Sequence, residues 1–185
     1  MGQSTAHSIS DAQLIKAGYR VLCIAFAAYE WDQLRRDDDP DPLDGFLQFD
    51  EEELSEELLK LSALARANDD ALNTLDQSGK AFPDGVGTLT SNGKTVPLSP
   101  REAYNKIIHA RKMSFDLSRS DKNPIWEKWY ASQGHSVRGD FKVPALLLEG
   151  EHFKTGSWEV RLELIPFVYA VAIPDVWQWN MTGEK

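Results

Sequence analysis

The chain has 185 residues, 42% of them hydrophobic, and its 29 Asp+Glu against 20 Lys+Arg give a formal net charge of -9. These figures exclude global disorder and suit one domain over residues 1–185, whose ends at 1–9 and 181–185 we expect to be flexible. No apolar run reaches the roughly 20 residues of a membrane span, so we expect no membrane partner. The single cysteine, Cys23, cannot form an internal disulfide, which favours a reducing, cytoplasmic setting.

The first predicted element is a long helix over residues 11–36. Its apolar side chains repeat at spacings of three and four, in the order Leu14, Ala17, Val21, Ala25 and Ala28. Leu22, Phe26 and Tyr29 widen that stripe, which indicates a well-buried helix. Cys23 lies inside it and is interpreted as a small core residue.

The acidic charge belongs to the segment that follows. Between Arg36 and Lys60 there are 11 acids and no base, which leaves 18 of the 29 acids against all 20 bases elsewhere. These acids are Asp37, Asp38, Asp39, Asp41, Asp44, Asp50, Glu51, Glu52, Glu53, Glu56 and Glu57. Pro40, Pro42 and Gly45 predict an acidic loop over 37–49. A second helix is predicted from Asp50 to Ser78-Gly79, antiparallel to the first.

The pattern changes to strands and short helices in the second half. Asn92-Gly93 between two strand-like runs predicts a hairpin, and Ser99, Pro100 and Glu102 form a capping box for a helix over 100–112. Further strands are predicted at 113–117, 143–150 and 157–164, and short helices at 124–132 and 167–173. The strand at 157–164 is expected to turn one face to the core, formed by Trp158, Val160, Leu162 and Leu164, and to leave Glu159, Arg161 and Glu163 on the solvent face. The predicted fold is α+β: two long N-terminal helices packed with a small antiparallel sheet of hairpins and short helices.

Three polar residues near the end of the helix over 100–112 form a candidate site. Asn105 and His109 are four residues apart and therefore share one face, with Lys106 beside them. The helix dipole stabilises a cationic His at this end, and an imidazolium can donate a proton to a leaving oxygen, as in metal-independent RNA cleavage. A structural interpretation is also open, in which Asn105 and His109 tie the helix end to a neighbouring loop or sheet edge.

This stretch, Asn105-Lys106-Ile107-Ile108-His109, resembles the signature of HEPN proteins, the higher eukaryote and prokaryote nucleotide-binding family. The resemblance implies a helical bundle whose active members are mostly metal-independent ribonucleases, many of them in toxin–antitoxin and antiphage systems. The Arg that the family carries just before its polar residue is displaced, because Tyr104 stands there and the nearest Arg is Arg101. Under this interpretation His109 is the general acid/base, and Asn105, Lys106 and Arg101 surround the phosphate.

The acidic segment and the C-terminal tryptophans predict a protein partner. A row of carboxylates, from Asp37, Asp38, Asp39 and Asp41 to Asp44, can enter a basic groove in place of a nucleic-acid backbone. Trp177 and Trp179 belong to a residue type that is enriched at interface hot spots. The spacing of the acids does not fit an EF-hand, so we predict no metal site and no cofactor.

Three functions follow from these observations. We favour a non-enzymatic, cytoplasmic protein-interaction domain whose partner is another protein or a second copy of the chain. An inhibitor or regulator of a nucleic-acid-binding or defence complex is one version of it. The second is a divergent HEPN-like ribonuclease, for which nucleic acid is the substrate. The third is a small-ligand or nucleotide-binding domain, with its pocket between the 101–112 helix and the C-terminal hairpin.

Overall fold

The computed structural model describes residues 10–34, 44–72, 84–116, 131, 134, 145–152 and 156–172. Its elements are α1 (Asp11–Leu34), α2 (Asp44–Leu72), β1 (Gly87–Ser91), β2 (Lys94–Pro97), α3 (Pro100–His109), β3 (Lys112–Asp116), β4 (Ala145–His152), β5 (Gly156–Leu162) and α4 (Leu164–Ala172). The described strands form one antiparallel sheet, and two long helices precede it. The predicted α+β class is therefore confirmed. The predicted helix at 124–132 and the flexible ends lie, apart from residue 131, outside the described residues.

The two long helices pack against each other antiparallel, as predicted. Trp31 of α1 stacks on Phe46 of α2 with ring centroids 5.2 Å apart, and Arg20 pairs with Glu57 at 2.9 Å. From Arg20 to Trp31 the chain of α1 advances by 11 residues, whereas from Glu57 to Phe46 the chain of α2 goes back by 11 residues, so the two helices are antiparallel. The predicted faces are buried: Leu14, Ala17, Val21, Ala25 and Ala28 on α1, and Leu54, Leu58, Leu61 and Ala65 on α2. Burial of these faces, more than helix propensity, stabilises both helices.

Two predictions about this helix pair are wrong. The helix α2 begins at Asp44 and not at Asp50, so the acidic loop does not extend to residue 49, and residues 37–43 lie outside the described residues. Gly45 costs helix stability, about 1 kcal/mol relative to Ala, but the stacking of Phe46 on Trp31 favours the extra turns. Cys23, expected in the core, is exposed, because it lies on the side of α1 away from the buried stripe.

The sheet has the strand order β2-β1-β5-β4-β3, with every neighbour antiparallel. The predicted hairpin is confirmed, since Asn92 and Gly93 take positive φ values of 52° and 70° between β1 and β2. Apolar residues align across the strands on the face that the helices cover. One such row is Leu89, Val160, Leu148 and Met113, and another is Leu162, Leu146 and Phe115.

The predicted solvent face of β5 needs one correction. Trp158, Val160 and Leu162 are buried, as expected, and Glu159 is exposed. Glu163, however, is only 5% exposed. The strand ends at Leu162, so the alternation stops before Glu163, whose carboxylate pairs with Arg161 and whose carbonyl accepts a hydrogen bond from the Phe167 N–H at 3.1 Å.

The cap of α3 is confirmed in detail. Ser99 accepts a hydrogen bond from the backbone N–H of Glu102 at 3.2 Å, and Pro100 takes the first helical position. The helix ends at His109, three residues before the predicted end. It ends there because the Arg111 N–H donates to the Glu149 carbonyl at 2.8 Å, which starts the pairing of β3 with β4.

The helix α4 crosses α1 at a glycine. A Cβ added to Gly18 would lie 2.8 Å from Val168 Cγ1 and 2.9 Å from Ala172 Cβ, so only glycine allows this approach. Gly45, by contrast, has no atom within 4 Å of an added Cβ. Among the helices over 10–34, 44–72, 100–109 and 164–172, none is both long and apolar enough to cross a bilayer.

Gly18→Ala is expected to destabilise the protein although alanine is the better helix former. Overpacking costs about 1–3 kcal/mol, whereas the gain in helix propensity is about 1 kcal/mol. Gly45→Ala is the matched control and should leave the free energy of unfolding unchanged or raise it. Urea unfolding followed by far-UV circular dichroism measures both. Equal stability of the two variants would contradict the close crossing of α1 and α4.

Candidate functional site

The candidate helix α3 is fixed to α2 by one buried carboxylate. Asp69, which is 1% exposed, accepts a hydrogen bond from the Tyr104 hydroxyl at 3.1 Å. The Arg101 guanidinium lies 3.1 Å from the same oxygen and 3.8 Å from Asp70. A buried charge needs such partners, because an unpaired one is costly. Arg101 therefore stabilises the junction of α2 and α3.

The environment of Tyr104 keeps its hydroxyl protonated. Burial raises the pKa of the phenol from its ordinary value of 10.0; Arg101 opposes this shift, and Asp69 adds to it. The neutral phenol is the form that donates to Asp69. Tyr104 stands where the HEPN signature carries its Arg, and here it is a buried structural residue.

Lys106 contacts the sheet through an aromatic ring. Its ammonium lies 4.4 Å from the centroid of the Trp158 ring, a cation–π contact. The indole itself lies over Gly150, its cross-strand neighbour, where any Cβ would clash with the ring. Gly150 thus makes room for Trp158, and Trp158 in turn orients Lys106.

Asn105 and His109 differ in their surroundings. Asn105 is half-buried, and His109, the last residue of α3, is exposed. The helix brings Asn105, Lys106 and His109 to one side, as predicted, but Arg101 pairs with α2. In the part of the chain that the structure describes, no group of three His, Cys, Asp or Glu side chains is placed to hold a metal ion.

A shallow cavity of about 200 Å³ lies on the sheet just after the end of α3 and is lined by Arg111 and by residues of β3, β4 and β5. The sequence predicted a ligand pocket between the 101–112 helix and the C-terminal hairpin, but no residue of α3 lines this cavity. Its charged and aromatic lining comprises Arg111, Lys112, Glu149, Glu151, Trp158 and Glu159. Arg111 pairs with Glu151, and Lys112 with Glu149 at 3.0 Å. Two cations against three carboxylates leave this lining negative, so it does not favour a phosphate group.

A second surface lies on the first turns of α2. Phe49 is 66% exposed and Phe46 is 50% exposed. The exposed Glu52, Glu53 and Glu56 follow Phe49 at spacings of three, four and seven residues, so they stand beside its ring on the same side of the helix. We call Phe46, Phe49, Glu52, Glu53 and Glu56 the acidic–aromatic surface.

The predicted partner-binding residues fall only partly within the described chain. Asp44 is the first residue of α2, whereas Asp37, Asp38, Asp39, Asp41, Trp177 and Trp179 lie outside the described residues. Sequence reasoning missed Phe46 and Phe49 because it assigned them to a loop. Their spacing of three residues, continued by the glutamates, was the available helical signal.

Removing Asp69 should cost more stability than removing the Tyr104 hydroxyl. Tyr104→Phe deletes one hydrogen bond, about 1 kcal/mol, whereas Asp69→Ala leaves the buried Tyr104 hydroxyl and Arg101 without their shared acceptor, which costs about 2–3 kcal/mol. Urea unfolding at neutral pH measures both. A raised pKa means that the stabilisation by Tyr104 is complete below its ordinary pKa and is lost as pH rises above it. Above pH 10 the free energy of unfolding of Tyr104→Phe should therefore fall less steeply with pH than that of the wild type. A smaller loss of stability in Asp69→Ala than in Tyr104→Phe would contradict the arrangement in which Asp69 is the shared acceptor.

Comparison of the chain with protein-family models, curated proteins and solved structures finds no match. The resemblance to HEPN proteins rests on Asn105, Lys106 and His109 alone.

Proposed function

We propose that this chain is a non-enzymatic, cytoplasmic protein-interaction domain that binds a basic partner through the acidic–aromatic surface. The observation that carries the proposal is Phe49, an aromatic ring two-thirds exposed beside three exposed glutamates. Aromatic rings that enter a partner's pocket supply much of the affinity at interfaces, and charges around them select and orient the partner.

The charge of this surface is not neutralised by the basic residues on the neighbouring helix turns. Arg20 pairs with Glu57 at 2.9 Å, and Lys60 approaches the same carboxylate oxygen at 3.4 Å. Glu57 is partly buried, so these cations lie against the α1–α2 junction. The carboxylates of Glu52, Glu53 and Glu56 face solvent and are available to a cationic partner.

A regulator of a nucleic-acid-binding or defence complex is the version of this function that the charge pattern favours. A rigid helix that presents a row of carboxylates offers a basic groove the charge that it otherwise finds on a phosphate backbone. The long α2 helix, packed along α1, supplies that rigidity.

The two alternative functions have weaker support. A HEPN-like ribonuclease would use the exposed His109, but its candidate phosphate ligands Arg101 and Lys106 already contact Asp69 and Trp158. A small-ligand domain would use the cavity on the sheet, whose cations are paired with glutamates.

Binding of a basic amphipathic helical peptide of lysine and leucine should depend on the acidic–aromatic surface. Phe49→Ser removes the apolar anchor, and Glu52→Gln with Glu53→Gln removes two charges. We expect each change to raise the Kd for the peptide about tenfold, measured by fluorescence anisotropy. The glutamine variant should also have a shallower salt dependence.

Leu147→Ser is the matched control for Phe49→Ser, because Leu147 is an exposed apolar residue on the sheet. It should leave the peptide affinity unchanged. A loss of binding in the control as large as in Phe49→Ser would remove the proposed surface.

Metal-free RNA cleavage separates the favoured function from the ribonuclease. We expect neither the wild type nor His109→Ala to cleave a labelled single-stranded RNA above background. Since His109 is exposed, His109→Ala should fold normally, which circular dichroism checks. Cleavage by the wild type that is lost in His109→Ala would replace the interaction domain with the HEPN-like ribonuclease.

A further inference from the structure

The side of α1 next to its buried face carries a second apolar stripe, of which Leu22 also packs against the core. The stripe consists of Ile15, Tyr19, Leu22 and Phe26, which we call the α1 seam. Ile15 is 49% exposed and Tyr19 is 68% exposed, and Leu22 and Phe26 are half-buried. The spacings of four, three and four residues are those of a helix that pairs with another helix along a narrow seam. A contiguous apolar stripe of this kind on the surface of a domain marks a site that a binding partner covers.

The charges beside the seam are self-complementary. Lys16 and Glu30 are both exposed, and they stand seven residues before and seven residues after Cys23. At 100° per residue, Lys16, Cys23 and Glu30 lie along one flank of the seam. A twofold axis at Cys23 therefore brings Lys16 opposite Glu30 of a second copy. Of the seam residues, Tyr19 and Phe26 are placed almost equally about Cys23, whereas Ile15 lies beyond the paired stretch.

We propose that α1 pairs antiparallel with α1 of a second copy, forming a homodimer whose twofold axis passes beside Cys23. Each Lys16 then meets Glu30 of the partner subunit, and each Tyr19 packs near Phe26 of the partner subunit. A parallel pairing would form neither contact, because it brings this flank of one helix against the opposite flank of the other. Such an interface is isologous, as in most homodimers.

The dimer leaves the acidic–aromatic surface uncovered. The helix α2 packs on the side of α1 that carries Arg20 and Trp31, which lies away from the seam. A dimer therefore presents two copies of the acidic–aromatic surface to a partner with two basic sites. The homodimer does not rest on the proposed function, because the two surfaces share no residue.

The antiparallel pairing of α1 can be tested by disulfide cross-linking through Cys23. Packed helices lie about 8–10 Å apart with Cα atoms about 2.3 Å from each axis, and Cys23 lies about 70° from the middle of the seam, which places the two Cys23 Cα atoms roughly 6–8 Å apart. A disulfide needs about 4.4–6.8 Å. Diamide oxidises the two thiols, which release two protons and transfer two electrons to it, so the wild type should yield a disulfide dimer on a non-reducing gel. The control is Cys23→Ser combined with Lys94→Cys at the exposed first residue of β2, which should yield only background.

A charge swap tests the orientation. Lys16→Glu and Glu30→Lys should each weaken the dimer on the order of tenfold in Kd, measured by sedimentation equilibrium. The double variant Lys16→Glu/Glu30→Lys should recover to within a fewfold of the wild type, which also shows that the variants fold. Lys94→Glu is the matched control and should have no effect.

The homodimer is overturned if the wild type is monomeric at about 100 μM, or if the double variant is as weak as the single ones. The same variants should bind the basic peptide as the wild type does. Failure of the dimer thus remains distinguishable from failure of the acidic–aromatic surface, which only the Phe49 and Glu52/Glu53 variants should affect.

Discussion

The buried carboxylate of Asp69 joins the two halves of this fold. It lies near the end of α2, and its partners Arg101 and Tyr104 belong to α3, which is attached to the sheet through Lys106 and Trp158. A buried ion pair of this kind specifies an arrangement more than it adds net stability, because desolvation offsets much of the attraction. Asp69 thereby holds the helical pair and the sheet in one relative orientation.

Local signals predicted the elements whose causes are local. Asn92-Gly93 specified the hairpin, and Ser99 with Glu102 specified the start of α3, because turn and cap geometry depend on a few adjacent residues. The start of α2 at Asp44 depends on the stacking of Phe46 on Trp31, across the helix pair. No single-segment pattern contains that contact.

The candidate site was predictable as a set of residue types but not as a geometry. Asn105, Lys106 and His109 share one side of α3, as helical spacing requires. The partners that decide their roles are distant in the chain: Asp69 is 35 residues from Tyr104, and Trp158 comes from another part of the sheet. Sequence reasoning could not separate an Arg that binds phosphate from one that stabilises a buried carboxylate.

The partners of the charged side chains bear on the proposed function. A phosphate-binding site needs cations that are free to meet the ligand, but Arg101 and the cations beside the cavity contact carboxylates, and Lys106 contacts an aromatic ring. On α2 the situation is reversed, since the structural carboxylate Glu57 takes Arg20 and Lys60 while Glu52, Glu53 and Glu56 face solvent. The exposed charge of the helix pair is therefore negative and lies beside an exposed ring. Such a surface suits binding of a basic protein better than catalysis on a nucleic acid.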